Sequence, residues 1–465
     1  MDNKILKNPY IEFMGSNSHE VTGSMDLVRY MGYHILIDYG LRQTSKDEED
    51  YKVNKKRHKD IRPKKLDAIL ITHSHADHQS LLPQLYRDGC DCPVFIPKGT
   101  KGLLQIMLQD SVKIFLKEAE KSNRQPLYTQ EDVDNTMRHI VEVDKYKPYQ
   151  INENITFTYY NAQHIVKACQ IYMELTDGIV VKKLGFTGDF SNYDDRYYLD
   201  SLDDLPQVDL LVGESTYSDS TRLIKAKDRK KDIEKIDMAI KYALEHKSKV
   251  IIPTFSLDRL QVMLAVIYDM YDGKPPIKIL VDSPLGKQIS RLWEKLIDKD
   301  NELWNNILNW DSCHWIGDFK DTMHFSAVDE PMLILAGGGM LQGGRATYWV
   351  KEHLGVSKNR ILFCGYATEE SIAGQIKNGK LKEIKIDGYI IKNKAQITTL
   401  NSFSSHADRK HLIEYYKRIQ YTKLCLVHSQ QKSKIQFAKD LQNELSKLNR
   451  TSKVICTNYE TKVHF

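Results

Sequence analysis

Residues 73–78 read His73-Ser74-His75-Ala76-Asp77-His78, placing three imidazoles and a carboxylate within six positions. Imidazole nitrogens and carboxylate oxygens are the ligands that zinc and similar divalent cations prefer. Four of them exceed what one mononuclear site would draw from so short a stretch. The preceding run, Leu66 to Ile71, has the apolar, β-branched character of a buried strand. Residues two apart on an extended chain face the same side, so His73 and His75 can aim at one point. Asp77 and His78 follow where the chain must turn, and can face a second point close by. The alternative is a solvated polar loop, and the clustering of scarce histidines argues against it.

A two-metal site needs further ligands, and the chain offers them at the ends of other strand-like runs. His164 follows Ile155-Thr156-Phe157-Thr158, and Asp189 follows Leu184-Gly185-Phe186. His428 closes Leu424-Cys425-Leu426-Val427, and Asp38 closes Ile35-Leu36-Ile37. Taken singly, each is an ordinary strand-end polar residue. Together they share the position where α/β folds set functional groups, on turns held by a rigid sheet.

The pattern resembles a known family. Gly15 to Ser24, Asp38, the His73–His78 motif, His164 and Asp189 are similar to the metallo-β-lactamase fold. Glu214-Ser215-Thr216-Tyr217, Pro253 to Ser256, Asp282 to Leu285 and Gly339 to Arg345 resemble its β-CASP nuclease branch. Gly365-Tyr366, Phe403 to Asp408 and Val427-His428 complete the set. The likeness runs from about residue 11 to about residue 430. It is closest in pattern to the bacterial β-CASP ribonucleases and to the endonuclease subunit of the eukaryotic pre-mRNA 3′-end cleavage complex.

The resemblance implies an α/β protein: a metallo-β-lactamase αββα sandwich with an inserted β-CASP α/β domain. Residues 1–215 and 381–465 would form the sandwich and 216–380 the insertion, with the active site in the cleft between them. It implies two Zn2+ ions, with Mn2+ as a substitute. His73, His75 and His164 would hold one, Asp77, His78 and His428 the other, and Asp189 would bridge them. Asp38 would orient a ligand imidazole. A zinc pair lowers the pKa of a water toward neutrality and stabilises charge on the phosphate. His406, held by Glu214, would protonate the leaving oxygen. Asp77, Asp38, Glu214 and His406 are thus the expected catalytic set. In the family, RNA-cleaving members carry His and DNA-repair members Val at the position of His428, so RNA is the implied partner. The short tail after His428 and the Ser404-Ser405-His406-Ala407-Asp408 run point to endonucleolytic cutting with 5′-exonuclease action as a secondary activity.

Arg345, Arg259 and Ser405 are the candidate substrate contacts. Gly337-Gly338-Gly339 and Gly343-Gly344 can present backbone amides to phosphate, or simply make tight turns. Arg259 can equally form a salt bridge between domains. This chain departs from the family at Asp258, where Gly is usual, and around His164, where Gln163 and Lys167 replace the glycines of Gly-His-x-x-Gly.

Composition sets the remaining bounds. The 465 residues suit two or three domains, with 41% hydrophobic and 28% charged residues, as in soluble globular proteins. A net charge of +5 permits a polyanionic substrate without demanding one. The basic runs at Lys52 to Lys65 and Lys225 to Lys231 can contact phosphates or form a solvated face; Gln43 to Lys59 reads as an insertion. Seven scattered cysteines argue against a disulfide framework. Cys90-Asp91-Cys92 is a weak hint of another metal. Met1 to Lys7 lacks the apolar core of a signal peptide, and no stretch reaches the roughly 18–20 apolar residues of a membrane span. A cytoplasmic protein, without a membrane and with a homodimer left open, is expected. The other functions to weigh are a DNA nuclease or small-ester hydrolase of the same fold, and a non-catalytic RNA-binding scaffold subunit. Seven intact ligands argue against the last.

Overall fold

Ile35 and Ile37 face one side of a strand and Leu36 the other, and all three are buried, so this strand must be covered on both faces. The computed structural model shows how; it describes residues 9–44, 46–192, 200–219, 227–297, 301–365, 367 and 371–465. Met1 to Lys7, Lys225 and Tyr366, which figured in the sequence reading, lie outside the described residues. Six strands come first: β1 (Tyr10–Phe13), β2 (Asp26–Tyr30), β3 (Tyr33–Ile37), β4 (Ala68–Leu70), β5 (Val94–Pro97) and β6 (Ile140–Val143). Then follow β7 (Tyr149–Asn152), β8 (Ile155–Asn161), β9 (Cys169–Thr176), β10 (Val181–Phe186) and β11 (Val208–Glu214).

The second unit contributes β12 (Lys249–Thr254), β13 (Lys278–Asp282), β14 (Cys313–Trp315), β15 (Met332–Gly337), β16 (Arg360–Phe363), β17 (Glu383–Ile386), β18 (Tyr389–Lys392) and β19 (Gln396–Thr399). The chain then returns to the first unit with β20 (Tyr421–Val427), β21 (Lys453–Cys456) and β22 (Thr461–His464).

In the first unit, two seven-stranded sheets run in the orders β22-β1-β2-β3-β4-β5-β6 and β21-β20-β11-β10-β9-β8-β7. Ile35, Ile37 and Leu70 of one sheet share a core with Phe157, Ile171, Leu184 and Leu210 of the other. Leu36, Ile69 and Val94 face outward and pack with Leu82, Leu85, Leu104 and Leu108, which belong to the helices Leu82–Arg87 and Lys101–Ser122. The sequence alternation therefore reads directly as a sandwich with helices outside it.

The second unit is built on a six-stranded, all-parallel sheet, β14-β13-β15-β12-β16-β19. Its central strands are buried throughout, as Ile251, Leu280 and Ile334 show, which is why they read as continuous apolar runs. The boundary differs from expectation. The return to the sandwich was placed at residue 381, yet contacts hold the chain in the second unit until Ser404. The cause is β19, which pairs in parallel with β16 from Arg360↔Gln396 to Phe363↔Thr399. Ile384, inside the stretch assigned to the sandwich, instead lies in the β17–β18 hairpin of the second unit.

The family's glycine position at Asp258 keeps a glycine-like backbone. Asp258 has φ 70° and ψ −58°, and the Arg259 amide donates to the Leu257 carbonyl at 2.9 Å. This is a γ-turn of the strained, positive-φ kind. Such strain costs about 1–3 kcal/mol, whereas glycine's extra unfolded-state entropy costs about 0.4–1 kcal/mol. Asp258→Gly should therefore raise the denaturant midpoint, by about 1 kcal/mol in stability. An unchanged or lower midpoint would mean that contacts of the buried carboxylate outweigh the strain.

Candidate metal centre

Topology brings the site together before any side chain is considered. β10, β11 and β20 are parallel neighbours, with Phe186 opposite Val212 and Glu214 opposite Val427. Asp189, Glu214 and His428 therefore emerge side by side from adjacent strand ends. β3 and β4 are likewise parallel, with Ile37 opposite Leu70, which sets Asp38 beside Thr72 and His73. Asp77 and His78 sit in the short helix Ala76–Gln79. That helix is stitched down by Tyr39 N–H to the His78 carbonyl and Ser24 N–H to the Asp77 carbonyl, both at 2.8 Å. Gly40 is required there, since a Cβ would stand 1.7 Å from the Asp77 carbonyl oxygen.

The first triplet is His73, His75 and His164. His75 Nδ1 lies 3.1 Å from His73 Nε2 and 3.1 Å from His164 Nε2. Nitrogens bound tetrahedrally at about 2.0–2.1 Å from a zinc ion stand about 3.3–3.4 Å apart, so this spacing suits a shared cation. Burial, with His78 and the other imidazoles adding to it, pushes His73 well below its ordinary pKa. Burial and His406 do the same for His164. Both rings are neutral, the form that donates a lone pair to a metal.

The second triplet is Asp77, His78 and His428, whose ligand atoms lie within 4.8 Å of one another. His428 Nε2 is 3.4 Å from Asp77 Oδ2. Asp189 touches both triplets. Its Oδ2 is 3.3 Å from His78 Nε2, 3.7 Å from His164 Nε2 and 3.8 Å from His73 Nε2, and its Oδ1 is 3.7 Å from His428 Nε2. Burial opposes charge on His78, but Asp189, Asp38 and Asp77 together outweigh it and raise its pKa well above the usual value. Buried carboxylates that draw protons onto a ligand histidine are a cluster short of positive charge. The donor set therefore fits divalent cations.

Three of the candidate ligand rings are held from behind. Asp38 accepts from Thr72 N–H at 2.8 Å and Thr72 Oγ1 at 2.8 Å, and takes His78 Nδ1–H at 2.7 Å. His164 Nδ1 donates to the Ser405 carbonyl at 2.8 Å. His428 Nδ1 donates to Thr216 Oγ1 at 2.8 Å, and that hydroxyl donates to Glu214 Oε2 at 2.6 Å. These bonds fix the tautomers so that Nε2 of His78, His164 and His428 faces the cluster. The backbone bends to allow it: Asp38, Gln163, Lys167 and His428 all have positive φ, from 56° to 60°. Gln163 and Lys167 thus keep the left-handed turns that the family makes with glycine.

Beside the cluster, His406 Nδ1 meets both Glu214 oxygens, at 3.0 and 3.2 Å, and Glu214 also accepts Phe190 N–H at 2.6 Å. The His406 ring is tilted against His164 at 4.6 Å and against His428 at 5.6 Å between centroids. Burial works against its charge, yet the Glu214 and Asp189 carboxylates raise its pKa. Asp189, Glu214, His406 and His428 also fall within ligating reach of one another, so metal binding through His406 is a competing role.

Not every candidate comes to this centre. Ser405 is buried and meets it through its carbonyl. Arg259 is buried at the start of the helix Arg259–Met270, in the second unit. Arg345, also there, lies 3.6 Å from Asp282 and over the Phe319 ring. Cys90 and Cys92 place their sulfurs 3.4 Å apart, and among the described residues no further ligand joins them in a metal-sized group. Thr72 and Thr216 were missed as contributors. Their only signal was a hydroxyl next to a ligand in sequence for Thr72, and two residues past Glu214 for Thr216.

Three family models match in succession: a Beta-lactamase superfamily domain over residues 34–253, a Beta-Casp domain over 260–376, and a Zn-dependent metallo-hydrolase RNA specificity domain over 390–451. The chain is 26% identical over 448 residues to the transcription termination factor FttA of Methanocaldococcus jannaschii, covering 92% of this chain and 68% of that one. The Methanococcus maripaludis FttA is 28% identical over 422 residues, and the chain spans only 64% of its length. The ribonuclease TTHA0252 of Thermus thermophilus is 26% identical over 430 residues, covering 91% of this chain and 94% of that one. In fold, the chain superposes on a crystal structure of a protein of unknown function from Enterococcus faecalis with a TM-score of 0.55 at 11% identity, over 99% of this chain and all of the other. The chain belongs to the metallo-β-lactamase superfamily, in its β-CASP branch, as a metal-dependent hydrolase.

Proposed function

We propose that this protein is a two-zinc ribonuclease that hydrolyses RNA phosphodiesters, chiefly as an endonuclease, with 5′-exonuclease action secondary, in the cytoplasm. The observation that carries the reading is the hydrogen-bonded His406–Glu214 pair in ring contact with one histidine from each ligand triplet. This pair, together with the Beta-Casp domain match over 260–376, favours a nuclease over a hydrolase of small esters. When bound, the zinc pair supplies a water of near-neutral pKa and positive charge for the phosphate, and Mn2+ suits the same oxygen and nitrogen donors.

The chain's own residues do the rest. His73, His75 and His164 would hold one ion and Asp77, His78 and His428 the other, with Asp189 in reach of both triplets. Asp38 locks His78 in the tautomer that presents Nε2. Glu214 holds His406 by Nδ1, leaving its Nε2–H to protonate the departing ribose oxygen. Arg345, beside Asp282 in the second unit, is the candidate phosphate contact there, whereas Arg259 is buried; the RNA specificity domain match over 390–451 supports RNA over DNA.

The test is cleavage of an end-labelled RNA by purified protein with and without chelator. Internal cuts that vanish on chelation and return with Zn2+ or Mn2+ are expected. Cleavage that persists without metal, or no cleavage with it, would defeat the proposal.

Thr216 should matter more than its neutral hydroxyl suggests, since it alone links His428 to Glu214. Thr216→Val should weaken zinc at the second triplet by about 10–100-fold, leaving the first triplet loaded, whereas Thr216→Ser should bind as wild type. Chelator competition reads this directly; equal affinity in the Val variant would assign Thr216 a packing role only.

A further inference from the structure

The basic segment before the first metal motif plays no part in that chemistry, yet it closes a cavity of about 270 Å3 at the far end of β3. Leu27 and Leu66 form its apolar floor, and Arg29, His34, Arg62 and Lys65 bring four basic side chains to it, with Asp60 as its acidic member. The walls are built rather than accidental. Arg29 and His34 face each other across the β2–β3 pairing. The Asp67 amide donates to the His34 carbonyl at 3.0 Å, and the Asp67 carboxylate accepts His34 N–H at 2.7 Å. Arg29 Nη2 donates to the Asp60 carbonyl at 3.2 Å. Residues 60–67 are thereby pinned against the sheet.

Tautomer logic then supplies a donor. Arg29 Nη1 lies 2.8 Å from His34 Nε2, and a guanidinium can only donate, so Nε2 accepts and the ring proton sits on Nδ1. Burial, followed by the charge of Arg29 and smaller contributions from Lys65 and Arg62, lowers the His34 pKa against the pull of Asp67. Arg62 and Lys65 are exposed, and neither forms an ion pair among the described residues. Glu12 is already engaged, facing Arg29 at 3.7 Å and Lys462 at 3.2 Å, so Asp60 is the acid that lines the cavity itself. The cavity has room for on the order of nine waters, enough for a phosphate with an attached ribose. It is separate from the metal centre, since His34 and Asp38 stand four residues, or about 13 Å, apart along an extended strand.

We propose that this cavity is a phosphate-binding site, taking the phosphoryl group of a mononucleotide or of the RNA backbone through Arg62, Lys65 and the His34 Nδ1–H. The site does not depend on hydrolysis, so its test leaves the ribonuclease reading untouched.

In the full chain labelled with 15N-histidine, inorganic phosphate and adenosine monophosphate should shift the His34 ring signals saturably, and chloride at equal ionic strength should not. The double variant Arg62→Ala with Lys65→Ala, both exposed positions, should lose that response without a change in melting temperature. RNA binding, measured in the His406→Ala background to prevent cleavage, separates the sources. Loss of the one phosphate held there should reduce the slope of log affinity against log salt by about 0.7 in magnitude. A reduced slope assigns the site to the RNA backbone. An unchanged slope with the His34 response abolished assigns it to a small phosphate compound. Absence of both a saturable His34 response and a change in slope would overturn the proposal.

Discussion

Replacing Asp189 by Ala should reduce RNA cleavage to the level of a protein-free control and leave less than one tightly bound zinc per chain. Asp189 is 3% exposed and, among the described residues, is the one carboxylate whose oxygens approach histidines of both triplets. Burial disfavours its charge, but His428, His78 and His406 hold its pKa well below the usual carboxylate range. Without it, the imidazoles of both triplets face one another with no shared anion. The loss in zinc affinity should far exceed the roughly 10–100-fold that follows from removing an outer hydrogen-bond partner. Asp189→Asn keeps the volume and removes the charge, so it should fail in the same way if charge is what matters. Melting curves recorded with chelator present separate this from misfolding. Turnover within tenfold of wild type in either variant would show that the two triplets work independently.

His406→Ala should lower turnover by about 10²–10⁴-fold, the usual contribution of a general acid, while zinc content stays at its wild-type value. The argument rests on the division of labour around Glu214. Its two oxygens are occupied by His406, Thr216 and the Phe190 amide, leaving the His406–Glu214 unit held by hydrogen bonds of its own. A substrate whose leaving group needs no proton, such as an aryl phosphodiester, should lose far less rate than RNA in the same variant. If zinc is lost instead, His406 is a ligand, a role its closeness to Asp189 and His428 makes geometrically available.

Much of the centre was legible in the sequence because the strands were. Asp38, His164, Asp189 and His428 stand just beyond apolar runs; the parallel pairing of β3 with β4 places Asp38, that of β10, β11 and β20 places Asp189 and His428, and His164 comes from the turn after the antiparallel strand β8. Local pattern could not reveal pairing between distant segments. That is why the end of the second unit was set at residue 380, whereas backbone hydrogen bonds between β16 and β19 carry it to Ser404. Thr72 and Thr216 escaped for a related reason: a threonine beside a strand end is ordinary, and only the fold turns its hydroxyl onto Asp38 or Glu214. Gln163, Lys167 and Asp258 depart from the family's glycines, a departure that read as reduced backbone freedom around His164 and as doubt over a phosphate role at Asp258. Instead the positive φ persists at all three, with surrounding packing absorbing the strain. Arg259, read as facing substrate or a neighbouring domain, is buried at a helix start, which its sequence spacing did not disclose.

The central claim is that two triplets drawn from distant parts of the chain, joined by Asp189, hold a pair of ions. Counting zinc by mass spectrometry after exhaustive dialysis, with its positions located by anomalous diffraction at the zinc edge, tests it most directly. The expected result is two ions per chain, one on His73, His75 and His164, the other on Asp77, His78 and His428, with an Asp189 oxygen on each. A single ion, or zinc bound elsewhere while these side chains stay unliganded, would contradict the account.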